Sequence, residues 1–114
     1  MALNYNLSKV YAISDNDVDF AKQIVILFIE EVPVEIQNIK EGLKEKNHKK
    51  VYYAAHKIKP TLDLLGMDIA YHDVLTIEEW TRAEGKKKEI KEVVKNLKDY
   101  VSLTIKELKK DFNL

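Results

Sequence analysis

Along almost the whole chain, apolar residues recur at steps of three and four, the spacing that lines one face of an α-helix. No stretch shows the strict alternation of a half-buried strand. Such a chain buries its apolar stripes by packing helix against helix, and with only 3 Gly and 2 Pro to interrupt it the helices are long. At 114 residues the sequence suits a single domain around one core, too short for a kinase or NTPase core with accessories.

Ser14, Asp15, Asn16 and Asp17 are all capable of capping a helix, and a helix is predicted to start near Asp17. Its core stripe is Ala21, Ile24, Val25, Phe28 and Val32, widened by Phe20, Ile26, Leu27 and Ile29. Pro33 lacks an N–H and is expected to break or kink the path, with a second helix from Val34 to about Lys46. A polar turn at Asn47 and His48 precedes a third helix ending at Gly66. Asp68 is expected to cap a fourth helix running to about Ala83, and Gly85 separates it from a long last helix. That helix carries Ile90, Val94, Leu97, Val101, Thr104, Leu108 and Phe112 along one side. The fold class is therefore all-α: an antiparallel four-helix bundle in up-down order, the segments before and after Pro33 counting as one split first helix, with a short extra N-terminal helix near Leu7 to Tyr11 covering one end.

Lysine and arginine together number 19, as do aspartate and glutamate, so no global field favours nucleic acid or an anionic membrane as partner. Cysteine is absent, which removes disulfides and thiolate metal sites and fits a reducing, cytoplasmic setting. There is no secretion-type start and no apolar run of the roughly 20 residues that span a bilayer. No HExxH sequence, Gly-rich phosphate loop or Ser/His/Asp arrangement is evident, and His48 and His72 are not spaced as ligand partners of His56. No metal site is expected.

The third helix is the exception to pure scaffold. Val51, Ala54, Ala55, Ile58, Leu62 and Leu65 make its buried stripe, and at about 100° per residue His56 falls roughly 150° from the centre of that stripe. The imidazole is expected to face solvent, where a large share of it is neutral and nucleophilic at neutral pH. Tyr52, Tyr53, Lys59 and Pro60 are its neighbours one turn away. Tyr52, Tyr53, Pro60 and Leu64 read equally as half-buried packing or as the rim of a docking patch, to which Phe20, Ile24 and Leu27 could add from the first helix.

The segment AAHKIKPTLDLLGM resembles the signature of histidine-containing phosphotransfer (HPt) domains: an Ala-His pair, then Lys, a small residue, a hydroxyl residue and later Leu-Gly. The run LFIEEVPVEIQNIKEGLKEKNHKKVYYAAH is similar to what precedes that histidine in the family. The Ile77-Glu78 pair sits where these domains often carry an acidic residue. The resemblance covers nearly all of residues 1–114 as one HPt domain. It implies that His56 accepts the phosphoryl group by way of Nε2, that Lys59 is the basic residue that stabilises its charge, and that Thr61 is the hydroxyl position; Lys57 and Lys49 could add to the positive field or serve only as solubilising residues. The implied partners are receiver domains of response regulators and of a hybrid histidine kinase, with Mg²⁺ supplied by the receiver and no cofactor of the chain's own. The family usually has Gly where this chain has Pro60, a change that frees the His56 carbonyl. Two other readings stand beside the phosphocarrier: a receiver-binding module without transfer, and a purely structural bundle. The sequence reads as a stand-alone monomer or as a domain of a larger kinase.

Overall fold

The computed structural model describes residues 4–114. It contains five helices, α1 (Ser8–Ser14), α2 (Val18–Lys44), α3 (His48–Leu64), α4 (Asp68–Arg82) and α5 (Lys87–Asp111), and no strand among the described residues. α2 packs on α3, α3 on α4, α4 on α5, and α5 back on α2, while α1 lies against α2. The stripes read from the sequence meet at the centre: Ala21, Val25, Phe28 and Val32 of α2, Val51, Ala54, Ala55, Ile58 and Leu62 of α3, and the α5 series from Ile90 to Leu108 are all buried. No helix among the described residues is long and apolar enough to cross a membrane.

Pro33 does not divide the first long helix. α2 runs unbroken for 27 residues and absorbs the segment expected to form a separate helix from Val34. Pro33 is exposed, so the Ile29 carbonyl deprived of its N–H partner lies on the outer side, where water can satisfy it. Val32 and Ile36, at 1% and 4% exposure, hold both halves to the core in one register. α2 also stops at Lys44, two residues early, because Lys46 enters the left-handed region at φ 55°. The other boundaries shift for local reasons. α1 begins at Ser8 and extends past Tyr11 to Ser14. Asp17 caps α2 as expected, its Oδ1 accepting from the Phe20 N–H at 3.1 Å. Asn47 caps α3 in the same way, accepting from the Lys50 N–H at 3.0 Å, which brings His48 into the helix instead of the turn.

At the far end α3 closes at Leu64, with Gly66 just outside. The Gly66 N–H donates to the Asp63 carbonyl at 3.0 Å and the Met67 N–H to the Leu62 carbonyl at 3.0 Å, a Schellman arrangement that needs the φ of 62° found at Gly66. Asp68 is the first residue of α4 rather than its cap; Met67 holds the cap position, and the Asp68 carboxylate still suits the positive end of the helix dipole. Gly42 has a different reason: a Cβ there would lie 2.6 Å from Val51 Cγ2, so α2 and α3 can approach closely at their shared turn.

Asp73 on α4 is a flaw in the packing. Its Oδ2 is buried without a hydrogen-bond partner, and burial pushes its carboxyl above the usual range, the nearby His72 opposing this only in part. Since the folded state disfavours the charged form, the cost is present at neutral pH and disappears as pH falls below the ordinary carboxyl range. Asp73→Ala is expected to stabilise the fold by about 1 kcal/mol at neutral pH, by removing an unsatisfied acceptor and improving helix propensity. Urea unfolding at neutral and acidic pH checks this: the gain shrinks on acidification.

Candidate functional site

Residues 56 and 59 are one helical turn apart, so their side chains leave α3 on neighbouring tracks and can reach a single residue across the seam. That residue is Glu78 of α4. His56 Nδ1 lies 2.9 Å from Glu78 Oε2, and Lys59 Nζ donates to Glu78 Oε1 at 3.0 Å. Glu78 is sunk in the seam with its side chain 1% exposed, whereas the His56 side chain is 56% exposed. Burial pushes the Glu78 carboxyl up, but the hydrogen bonds and charge from His56 and Lys59 outweigh it and hold the group below the usual carboxylate range.

This arrangement fixes the histidine tautomer. An ionised carboxylate only accepts, so Nδ1 must carry the proton that it donates to Glu78. The neutral ring then has its lone pair on Nε2. The ring plane is held as well, since Tyr52 stacks on it at 5.5 Å between centroids and 14° between planes. Arg82 Cζ lies 5.6 Å from the Tyr52 centroid. A nucleophilic nitrogen set by a buried carboxylate, with an ammonium one turn along and a guanidinium near the stacking ring, can accept and hold an anionic group.

The remaining lysines divide between two sides. Lys57 is turned toward α2, with Nζ 3.0 Å from Glu35 Oε2, so it does not join the Glu78 cluster. Lys49 is exposed and borders a shallow groove of about 350 Å³ with Tyr52, Tyr53 and Arg82. Tyr53 is 61% and Leu27 45% exposed. Pro60 is exposed, while Tyr52, Leu64 and Phe20 are half-buried, the latter two against the core. Ile24, expected in the core stripe, is half-buried too. Helical spacing places Lys57, Pro60 and Leu64 on one flank of α3, and Phe20, Ile24, Leu27 and Glu35 on the flank of α2 that meets it through the Glu35–Lys57 pair. Thr61 is half-buried. α3 continues through Pro60, and Lys59, directly before it, still reaches Glu78.

Arg82 was not singled out by the sequence reading. Its signal lies in matched spacing: Tyr52 and His56 are four apart on α3, as are Glu78 and Arg82 on α4, so pairing His56 with Glu78 brings Arg82 opposite Tyr52. His48 has another task, since its Nε2 meets the Gly85 carbonyl at 2.8 Å and its ring lies 4.7 Å from that of Trp80. His72 is exposed beside Tyr71 and apart from the cluster. Among the described residues no group of three or more His, Asp or Glu is placed to hold a metal ion.

The depressed Glu78 carboxyl makes a pH prediction. Its folded-state value lies below the unfolded one, so its contribution to stability is complete above the unfolded carboxyl range, about 4.3, and is lost as pH falls through the folded value. Glu78→Gln keeps an acceptor but removes the charge, and should flatten this acid limb of the stability curve. Denaturant melts across the acid range check it; an unchanged limb would place the acid sensitivity elsewhere.

Comparison with protein-family models, with curated proteins and with solved structures finds no match to the chain.

Proposed function

We propose that the chain is a phosphorelay intermediate of the HPt type, carrying a phosphoryl group on His56 between receiver-domain aspartates of a hybrid sensor kinase and a response regulator. The observation that carries this reading is the half-exposed imidazole whose Nδ1–H is held by the buried Glu78 carboxylate. Such a ring presents its Nε2 lone pair for attack and keeps the proton on the other nitrogen. In the forward step Nε2 attacks the phosphorus of a receiver acyl phosphate, the P–O bond to the aspartate breaks, and the aspartate leaves as a carboxylate. The product is an N-phosphorylated imidazolium whose positive charge faces Glu78. Mg²⁺ in the receiver screens the phosphoryl oxygens, and Lys59 can swing from Glu78 to the phosphoryl group, which brings about −1.5 to −2 charge. Lys49 and Arg82 add to the local positive field, and Lys57 does so once it leaves Glu35.

The reading takes α2 to α5 as an up-down antiparallel bundle, supported by the short turns and by the pairs that link neighbouring helices. Leu27, Phe20, Pro60 and Leu64 on one side of His56, with Tyr52 and Tyr53, make the apolar rim onto which a receiver docks, and docking is transient with the chain as a monomer. The reading places this exchange in the cytoplasm, where receivers are found.

The test is transfer from a panel of phosphorylated receiver domains to the full chain, with products separated under alkaline conditions that preserve phosphohistidine. The reading predicts label that survives alkali and is lost in acid. Receivers that bind the chain and stay phosphorylated would instead make it a docking module without transfer.

A further inference from the structure

We propose that the seam between α2 and α5 is a docking groove for an acidic amphipathic helix of a partner protein. This seam lies across the ring of helices from the α3–α4 seam that holds His56 and Glu78, and it is the least closely packed of the four. Two adjoining hollows open along it and share Lys40 and Lys98.

The larger hollow, about 700 Å³, is basic: Lys40 of α2 and Lys87, Lys88, Lys91, Lys95 and Lys98 of α5 line it against only two carboxylates, Glu92 and Asp99. In a chain whose formal charge sums to zero, this is a concentrated positive field. It is answered only in part within the chain, by the charge of Asp99 acting on Lys40. As with most lysines of the chain, none of the six groove lysines has a carboxylate within 4.0 Å among the described residues; what sets them apart is that six of them line one hollow. Lys40 and Lys98 face each other instead; contact with Lys98, then burial, holds the Lys40 ammonium below its usual range. The N-terminal end of the 25-residue α5 borders the same hollow, its dipole offset in part by Glu89, whose Oε1 accepts from the Lys86 N–H at 2.6 Å.

The smaller hollow, about 120 Å³, continues the seam and changes its chemistry. Pro33 and Ile105 supply its accessible apolar lining beside Gln37 and Ser102, with Ile36 and Val101 beneath them in the core. From Lys87 to Ile105 the groove follows α5 for about 27 Å at 1.5 Å per residue, room for a five-turn helix lying between two others. An occupant must therefore bring negative charge to one end and apolar side chains to the other. An acidic amphipathic helix does both through i, i+3 and i+4 spacing. A flat anionic bilayer fits poorly, because it meets only the rim residues Pro33 and Ile105 and cannot enter a seam between two helices. A single nucleic-acid strand finds no aromatic ring in either hollow on which to stack a base. A partner held here leaves the His56 face open, and the assignment stands whether or not His56 carries phosphate.

The test is a titration of the isotope-labelled full chain, followed by amide NMR shifts, with a synthetic helix of about 18 residues bearing Glu along one flank and Leu along the adjacent face. The same titration is run with polyglutamate, a single-stranded oligonucleotide and phosphatidylserine vesicles. The groove predicts saturable binding of the helix, with shifts confined to residues 33–43 and 87–105. It predicts at least about tenfold weaker binding to the Lys40→Glu/Lys98→Glu double variant, whose fold is checked by circular dichroism. No binding, shifts spread over all surface lysines, or equal binding by the double variant overturns the proposal. So does occupancy by polyglutamate, oligonucleotide or vesicles as tight as that of the helix.

Discussion

Replacing His56 with glutamine is expected to abolish phosphoryl acceptance while leaving the fold intact. An amide nitrogen donates its lone pair to the carbonyl and is no nucleophile, whereas the Gln amide can still donate a hydrogen bond toward Glu78. Because the His56 side chain is 56% exposed, the substitution should change stability by no more than about 1 kcal/mol. Label retained by the variant would move the site to another residue. Of the other histidines, His48 is a poor substitute, since its Nε2 is occupied by the Gly85 carbonyl and its ring packs against Trp80. His72 has Asp73 nearby, but its ring is held by no carboxylate hydrogen bond of the kind that joins His56 to Glu78. The measurement is label per chain for wild type and variant, alongside thermal melts of both.

The second large effect separates core from docking surface on one helix. Phe28 is fully buried, and Phe28→Ala is expected to cost about 3–5 kcal/mol, from lost transfer energy and the cavity left behind. That corresponds to a fall in melting temperature of at least about 10 °C for a domain of this size. Its neighbour Leu27, 45% exposed, should behave in the opposite way. Leu27→Ala is expected to leave the melting temperature almost unchanged and to weaken receiver binding. Equal destabilisation by both substitutions would mean that the exposed flank of α2 is scaffold rather than a docking rim.

Those two neighbours also mark how far the sequence could be read. Where one helix face meets one core, as in α3 and α5, the three-four periodicity identified the buried residues from Val51 to Leu62 and from Ile90 to Leu108. In α2 the apolar residues cover more than one face, so periodicity could not say that Phe28 is buried while Ile24 is only half so. The expectation of a break or kink at Pro33 rests on local preference alone; the flanking anchors Val32 and Ile36 hold a single helix through it. At the site, the exposed face of His56 followed from angle alone. Its carboxylate partner did not, because the 22 residues from His56 to Glu78, like the 30 from Tyr52 to Arg82, are bridged by how α3 and α4 register, which no single helix reveals. Lys57 shows the same limit: one residue from His56 in sequence, it turns to α2 and pairs with Glu35. The uneven placement of lysine was hidden too, since a net charge of zero conceals a basic seam on one side.

The most direct test of the account is to phosphorylate the isotope-labelled chain through a receiver and read the two ring nitrogens of His56 by long-range proton–nitrogen NMR. The geometry predicts phosphorus on Nε2, with Nδ1 retaining its proton toward Glu78. Phosphorus on Nδ1, or a phosphorylated residue other than His56, would contradict it.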